Sequence, residues 1–254
     1  MRKIYIHIGT HKTGSTFIQK NLNLNKEIFA KFNIHIPNVA REFEELSNHC
    51  NLIFELLNNY KYKQNQFKLL IDDISSTNKN IFISSETFEF IINKKKFLFL
   101  INKFKQLNLE PIIICYNRND PSFLVSRYIE LIKTKKYNPR MKLPSYFVFF
   151  LRAFLKGHVE INVGEGDTWS CYFNNNLKKI LKKNNLETYY ISYEKNKCSL
   201  FLPILEILNL NPQNFLITSE KINTTNKNEY KKYYNGIYFF LSRILFLKRK
   251  FIKI

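Results

Sequence analysis

The sequence predicts an α/β fold built on a parallel sheet, and three observations carry that expectation. The chain opens Arg2-Lys-Ile-Tyr-Ile-His-Ile-Gly9-Thr-His-Lys12-Thr-Gly14-Ser15-Thr16, an alternating apolar strand (Ile4, Ile6, Ile8) that passes through a glycine-bracketed turn straight into a helix-compatible segment. Residues 111–116, Pro-Ile-Ile-Ile-Cys-Tyr, form the continuous apolar run expected of a strand buried on both faces. Asp120 and Pro121 then offer an N-cap and a proline at the first helical position. Strand-like and helix-like stretches alternate over much of the 254 residues, a length that suits one α/β domain with a full core.

After the opening loop, Phe17, Ile18, Leu22 and Leu24 mark a helix over residues 15–25, and residues 32–37 alternate as a short strand. Phe43, Leu46, Leu52, Ile53, Leu56 and Leu57 give residues 42–60 the stripe of an amphipathic helix. On that helix His49 would follow Glu45 by one turn, either as a surface pair or as a base with its orienting carboxylate. The run Leu69-Leu-Ile-Asp72-Asp73 ends as a Walker B strand would, but Phe67, Leu70, Ile71 and Ile74 have helical spacing, so a helix is expected. Residues 80–86 read as a strand whose polar end, Ser84-Ser85-Glu86, falls where an open α/β sheet keeps its ligand crevice.

A helix over 97–107 follows, then the strand at 111–116 and the helix from 121, joined by the usual right-handed crossover. Residues 133–157 mix lysine and arginine with Tyr137, Tyr146, Phe147, Phe149 and Phe150, which suits either a solvated loop before a core helix or a lid over an acceptor. A turn is expected over 162–167, a helix over 169–181, a last strand over 188–194 and a short helix over 200–208. The expected division is a domain over 1–229 and a basic, apolar helix or tail over 230–254, docked on the domain or lying on an anionic membrane surface.

The net charge is +20, which favours acidic partners. Lysine is scattered among asparagine, isoleucine and phenylalanine, so charge alone does not choose between nucleotide, glycan, nucleic acid and membrane. Cys50, Cys115, Cys171 and Cys198 lie far apart without metal-ligand or disulfide-framework spacing, as expected in a reducing cytoplasm. The first strand is expected to begin by residue 3, so no leader is expected, and no apolar run reaches the roughly 18 residues a bilayer needs.

A strand, a small-residue loop and a helix N-terminus together make an anion cradle, because successive backbone N–H groups and the helix dipole converge on one point. A Walker A loop needs lysine directly after its second glycine, where this chain has Ser15; its lysine, Lys12, comes two residues before Gly14. Lys12-Thr13-Gly14-Ser15-Thr16 resembles the 5′-phosphosulfate loop of sulfotransferases that use 3′-phosphoadenylyl sulfate (PAPS), and His7 to Thr16 resembles the bacterial branch of that family. Arg118 at a strand tip and Ser126 eight residues later on the next helix resemble the family's 3′-phosphate motif, a guanidinium fork backed by a hydroxyl. Tyr193-Glu194 resembles its Tyr-Glu strand end. The resemblance spans residues 3 to about 225, but only the two phosphate motifs are specific.

The resemblance implies a three-layer α/β sandwich with a mostly parallel sheet, P-loop nucleotide-hydrolase-like. It implies sulfuryl transfer from PAPS to a hydroxyl or amine of a saccharide, glycolipid or small molecule, leaving adenosine 3′,5′-bisphosphate (PAP). Thr13, Gly14, Ser15 and Thr16 would hold the 5′-phosphosulfate, Lys12 would also neutralise the leaving oxygen, and Arg118 and Ser126 would hold the 3′-phosphate. Glu86 is the expected general base, with His11 and His49 in reserve, or else it caps the next helix or pairs with a lysine. No metal and no nucleic acid are expected, and the protein would work in the cytoplasm, with a membrane contact open to the tail. The lysine-glycine rich late segment of animal relatives is absent, and residues 221–226 stand in its place. A P-loop kinase or NTPase with a shifted lysine, and a non-catalytic basic binding module, are the alternatives.

Overall fold

The computed structural model describes residues 1–9, 11–57, 65–92, 95–118, 122–137, 139–164, 167–172, 176–196 and 199–218. In chain order it contains β1 (Arg2–Gly9), α1 (Ser15–Leu24), α2 (Lys26–Lys31), β2 (Ile34–His35), α3 (Cys50–Leu56), α4 (Gln66–Ser75) and β3 (Asn80–Ser84). A short 3-10 helix (Glu86–Phe90), α5 (Lys95–Gln106), β4 (Leu109–Asn117), α6 (Ser122–Tyr137) and α7 (Tyr146–Lys156) follow. The last elements are β5 (His158–Gly164), β6 (Asp167–Tyr172), α8 (Asn176–Lys183), β7 (Glu187–Ser192), α9 (Tyr193–Asn196), α10 (Leu202–Ile207) and a 3-10 turn (Pro212–Asn214).

Five strands form one parallel sheet in the order β2–β3–β1–β4–β7. Register aligns the isoleucines, so that Ile6 sits between Ile83 and Ile113. Because side chains alternate along a strand, Ile4, Ile6 and Ile8 point to one face. There they join Ile81, Ile83, Ile113 and Cys115 beneath α3, α4 and α5. Tyr5, Phe82, Ile112, Ile114 and Tyr116 point to the other face, under Ile18 and Leu22 of α1, Phe29 of α2 and Ile204 and Leu205 of α10. This is the three-layer α/β sandwich with a parallel sheet that was expected. The Tyr116 hydroxyl is buried and donates to the Leu200 carbonyl.

A third apolar cluster lies apart from the sheet, where Phe123, Tyr128, Phe149, Phe150, Val159 and Ile161 join α6, α7 and the antiparallel β5–β6 hairpin. Among the described residues no helix is long and apolar enough to cross a membrane.

The strand order singles out one end of the sheet. From β1 the chain passes to β2 at the edge, returns inward to β3 beside β1, then crosses over β1 to β4 and on to β7. Strand order therefore reverses at the carboxyl end of β1, and a crevice opens where such an order switches. Gly9 stands at that point.

Several sequence expectations change. Residues 42–49 are turns, not the first half of a helix, because their backbone donors are drawn to tertiary partners: Ser47 N–H to the Gln19 carbonyl (3.2 Å) and His49 N–H to the Ser84 carbonyl (2.8 Å). The Asn48 side chain then accepts from Cys50 N–H where α3 starts. The helical pairing of Glu45 with His49 therefore does not form. Residues 169–172 belong to β6 rather than a helix, with Trp169 paired to Ile161, because the hairpin buries Val159, Ile161 and Cys171 on the third cluster.

Residues 133–137 continue α6 instead of forming a loop, and Tyr193 and Glu194 open α9 instead of ending β7. In α7, Phe149 and Phe150 face the core while Phe147 faces solvent. Asp120, Pro121, residues 221–226 and the tail over 230–254 lie outside the described residues.

Candidate functional site

The loop after β1 is pressed against its own strand. A Cβ added at Gly9 would lie 3.2 Å from Thr13 Oγ1 and 3.3 Å from Ser15 Cβ, tighter than most real contacts. Lys12 and Gly14 both take left-handed backbone, with φ of 67° and 80°. Glycine adopts this freely, whereas for lysine it costs about 1–2 kcal/mol. At Gly14 a Cβ would also fall 2.3 Å from the Leu200 side chain. Helix α1 starts at Ser15 with glycine as its N-cap, no side-chain cap and no acidic residue in its first turn. The positive end of its dipole thus meets no side-chain cap and no acidic residue of its own first turn, which favours an anion there. Thr13 and Ser15 are buried in the loop, and Thr16 is partly exposed.

Arg118, just past β4, reaches this loop from the neighbouring strand. Its Nη1 donates to the Lys12 carbonyl (2.9 Å) and its guanidinium stacks 4.8 Å from the Tyr193 ring centroid. Ser126 lies buried on α6, one turn before Glu130.

Glu130 is the main residue that sequence reasoning missed. One of its oxygens meets Lys12 Nζ at 3.2 Å and the other accepts from Arg127 Nη1 at 2.6 Å. Arg127 is 2% exposed, with Nη2 against the Cys171 sulfur (3.5 Å) and its guanidinium over the Phe90 ring. Burial opposes ionisation of Glu130, but Arg127, His11 and Lys12 outweigh it and hold the carboxyl at about 2. The His11 ring stacks on Phe90, its Nδ1 is 3.7 Å from Glu130, and its backbone N–H donates to Glu89 (3.3 Å). Burial and the Arg127 charge push His11 down to about 3. It is neutral at pH 7 and weakly basic.

A signal for this network was available. Arg127 and Glu130 interrupt an apolar stretch three residues apart, and Glu89 sits between Phe88 and Phe90. Charges inside an apolar run, at helical contact spacing, point to a buried ion pair.

Glu86 opens the 3-10 helix at the carboxyl end of β3. It is partly exposed, and its Oε2 accepts from Gln19 Nε2 of α1 at 2.7 Å. Burial raises its pKa despite that bond. The capping role falls instead to Ser85, whose hydroxyl accepts from Thr87 N–H (3.2 Å). His49 is buried in a structural setting. Its Nε2 lies 3.3 Å from the Pro37 carbonyl, and Nδ1 accepts from Ser84 N–H at 3.2 Å. Those bonds suit the tautomer protonated at Nε2. Burial and Arg41 lower its pKa to about 4. Among the described residues no group of three or more His, Cys, Asp or Glu is gathered as a metal cluster.

No protein-family model and no curated protein sequence matches the chain. Similar solved structures include a sulfotransferase from Alicyclobacillus acidocaldarius, at 9% identity over 91% of this chain and 90% of that one, with a TM-score of 0.44. Another comes from the PezAT chromosomal toxin-antitoxin system of the human pathogen Streptococcus pneumoniae, at 18% identity over 55% and 56% of the two chains, with a TM-score of 0.29. Likenesses this distant decide nothing about activity.

Proposed function

We propose that this protein transfers a sulfuryl group from PAPS to an acceptor hydroxyl or amine. The observation that carries the reading is a loop with its cation displaced: Lys12 stands before Gly14, Ser15 takes the first helical position, and Arg118 bonds to the Lys12 carbonyl. A left-handed, glycine-capped helix start with no acidic residue in its first turn fits a phosphosulfate. A guanidinium beside the loop fits a second phosphate.

When bound, PAPS supplies a sulfuryl group activated as a mixed anhydride with phosphate. Backbone N–H groups and hydroxyls of Thr13, Gly14, Ser15 and Thr16 hold its 5′ end, and Arg118 and Ser126 bind the 3′-phosphate, which separates PAPS from ordinary ATP. Lys12 stabilises the charge that develops on the departing phosphate oxygen. Before the donor arrives, Lys12 rests on Glu130, which stays anchored by Arg127 when the ammonium turns to the donor. Glu86 takes the acceptor's proton, and its raised pKa brings it nearer the working pH of a base. PAP is the product, and a saccharide or glycolipid in the cytoplasm or at the inner membrane face is the acceptor class that suits a basic surface.

The test is transfer of radiolabelled sulfate from PAPS to a panel of hydroxyl and amine acceptors. Lys12→Ala and Arg118→Ala are each expected to lower turnover by about 100-fold, the scale of removing a group that stabilises transition-state charge. Undiminished transfer by both folded variants would defeat the assignment.

A further inference from the structure

Helix α7 is apolar on the side it turns to solvent as well as on the side it buries. Its inner side is already packed: Phe149, Phe150 and Ala153 are buried in the third cluster, and Tyr146 meets the Tyr128 ring edge-on with centroids 5.2 Å apart. On the outer side Phe147 is 56% exposed and Leu155 70% exposed, with Leu151 half-buried between them. Residues four apart on a helix stand one above the other, so these three form one row and not the scattered single exposures common on protein surfaces. The adjacent row of the helix carries Arg152 and Lys156, both exposed.

The charge around this row narrows what it can meet. Residues 133–157 hold seven lysines and arginines and no aspartate or glutamate, in a chain with one acidic residue for every two basic ones. Lys133, Lys135 and Lys136 are exposed on the last turns of α6, which packs on α7 in the third cluster. A second copy of this chain would bring like charge to that face. So would the chain's own residues 230–254, which also contain no aspartate or glutamate. Apolar side chains flanked by cations match a bilayer with anionic headgroups. There the apolar row enters the boundary between headgroups and acyl chains, while lysine and arginine heads reach back to the phosphates.

We infer that α7 and the end of α6 form a docking surface for an anionic lipid bilayer, with α7 lying in the plane of the interface. The inference goes beyond the sulfuryl-transfer reading and does not depend on it, since it uses neither the loop at 9–16 nor Arg118. It does place the two in register, because α6 also carries Ser126 and Glu130.

The test is flotation of the full chain, without nucleotide, on vesicles of phosphatidylcholine alone and of phosphatidylcholine mixed equally with phosphatidylglycerol. Any strongly basic protein gathers to some degree at an anionic surface, so the deciding variant removes apolar side chains and leaves the charge: Phe147→Ser combined with Leu155→Ser. Both positions are exposed, so the variant is expected to fold, and an unchanged melting temperature checks this. Leu69→Ser, at an exposed leucine of α4, is the control. The wild type is expected to bind the mixed vesicles at least about tenfold better than the neutral ones, and the double variant to lose about tenfold on the mixed vesicles. Arg152→Gln is expected to lose about fivefold, the share of one cation near such a surface, and Leu69→Ser nothing. Equal binding to both vesicles, no binding to either, or mixed-vesicle binding that the double variant leaves intact overturns the inference. So does a change of oligomeric state in the double variant, which would make the face a contact between copies of the chain.

Discussion

Replacing Glu130 by glutamine isolates the buried charge that holds Lys12. The substitution keeps the shape and an acceptor for Arg127 Nη1 but removes the negative charge between a 3% exposed arginine side chain and Lys12. Lowering the carboxyl from 4.5 to about 2 corresponds to about 3 kcal/mol favouring the folded, ionised form. Breaking a buried pair costs about 3–5 kcal/mol in general, and the 30% exposure of the Glu130 side chain puts this one at the low end. The assay is urea unfolding of both proteins from pH 7 to pH 2.

Because the folded pKa is depressed, the contribution is complete above the unfolded value near 4.5 and is lost as pH falls toward 2. The difference between the two proteins is therefore expected to be about 3 kcal/mol at pH 7 and to shrink steadily below pH 4.5. Other carboxyl groups titrate in both proteins and cancel. A difference under about 0.5 kcal/mol at pH 7, the size of an ordinary surface change, would refute the reasoning, as would one that stays constant down to pH 2.5.

Gly14→Ala forces alanine into left-handed backbone and drives its Cβ to 2.3 Å from Leu200, so a loss of at least about 1–2 kcal/mol and weakened PAP binding are expected by thermal melting and titration. His49 is held neutral with its pKa lowered to about 4, so the unfolded chain takes its proton first as pH falls. Its contribution is whole above pH 6.5 and is lost between there and about 4. His49→Gln is expected to flatten the fall of stability over that window, measured as unfolding free energy against pH.

The sheet was legible because its strands are written in β-branched runs with clear ends: Ile4, Ile6 and Ile8 beside residues 111–116 specify β1 and β4. The loop was legible from its glycine spacing, since Gly14 needs left-handed backbone; that it also needs room beside Leu200 could not be read. What could not be read was decided by distant partners. Residues 42–49 have helical periodicity, yet Gln19 and Ser84 take their backbone hydrogen bonds. The stretch at 169–172 becomes a strand because a hairpin partner, β5, is supplied from elsewhere. Glu130 escaped notice because its significance is three-dimensional: Lys12 lies 118 positions away in the chain, yet their side chains meet at 3.2 Å.

The central claim is that the loop at Gly9–Thr16 and Arg118 form one clamp for a nucleotide phosphorylated at both the 3′ and 5′ positions. Paired calorimetric titrations of PAP and of ADP with magnesium, into the wild type and Arg118→Ala, test it most directly. The account predicts that the wild type binds PAP more tightly than ADP and that Arg118→Ala loses about 2 kcal/mol for PAP, the scale of a charged hydrogen bond, with little change for ADP. Tighter binding of ADP with magnesium, or an Arg118→Ala effect equal for both nucleotides, would contradict it.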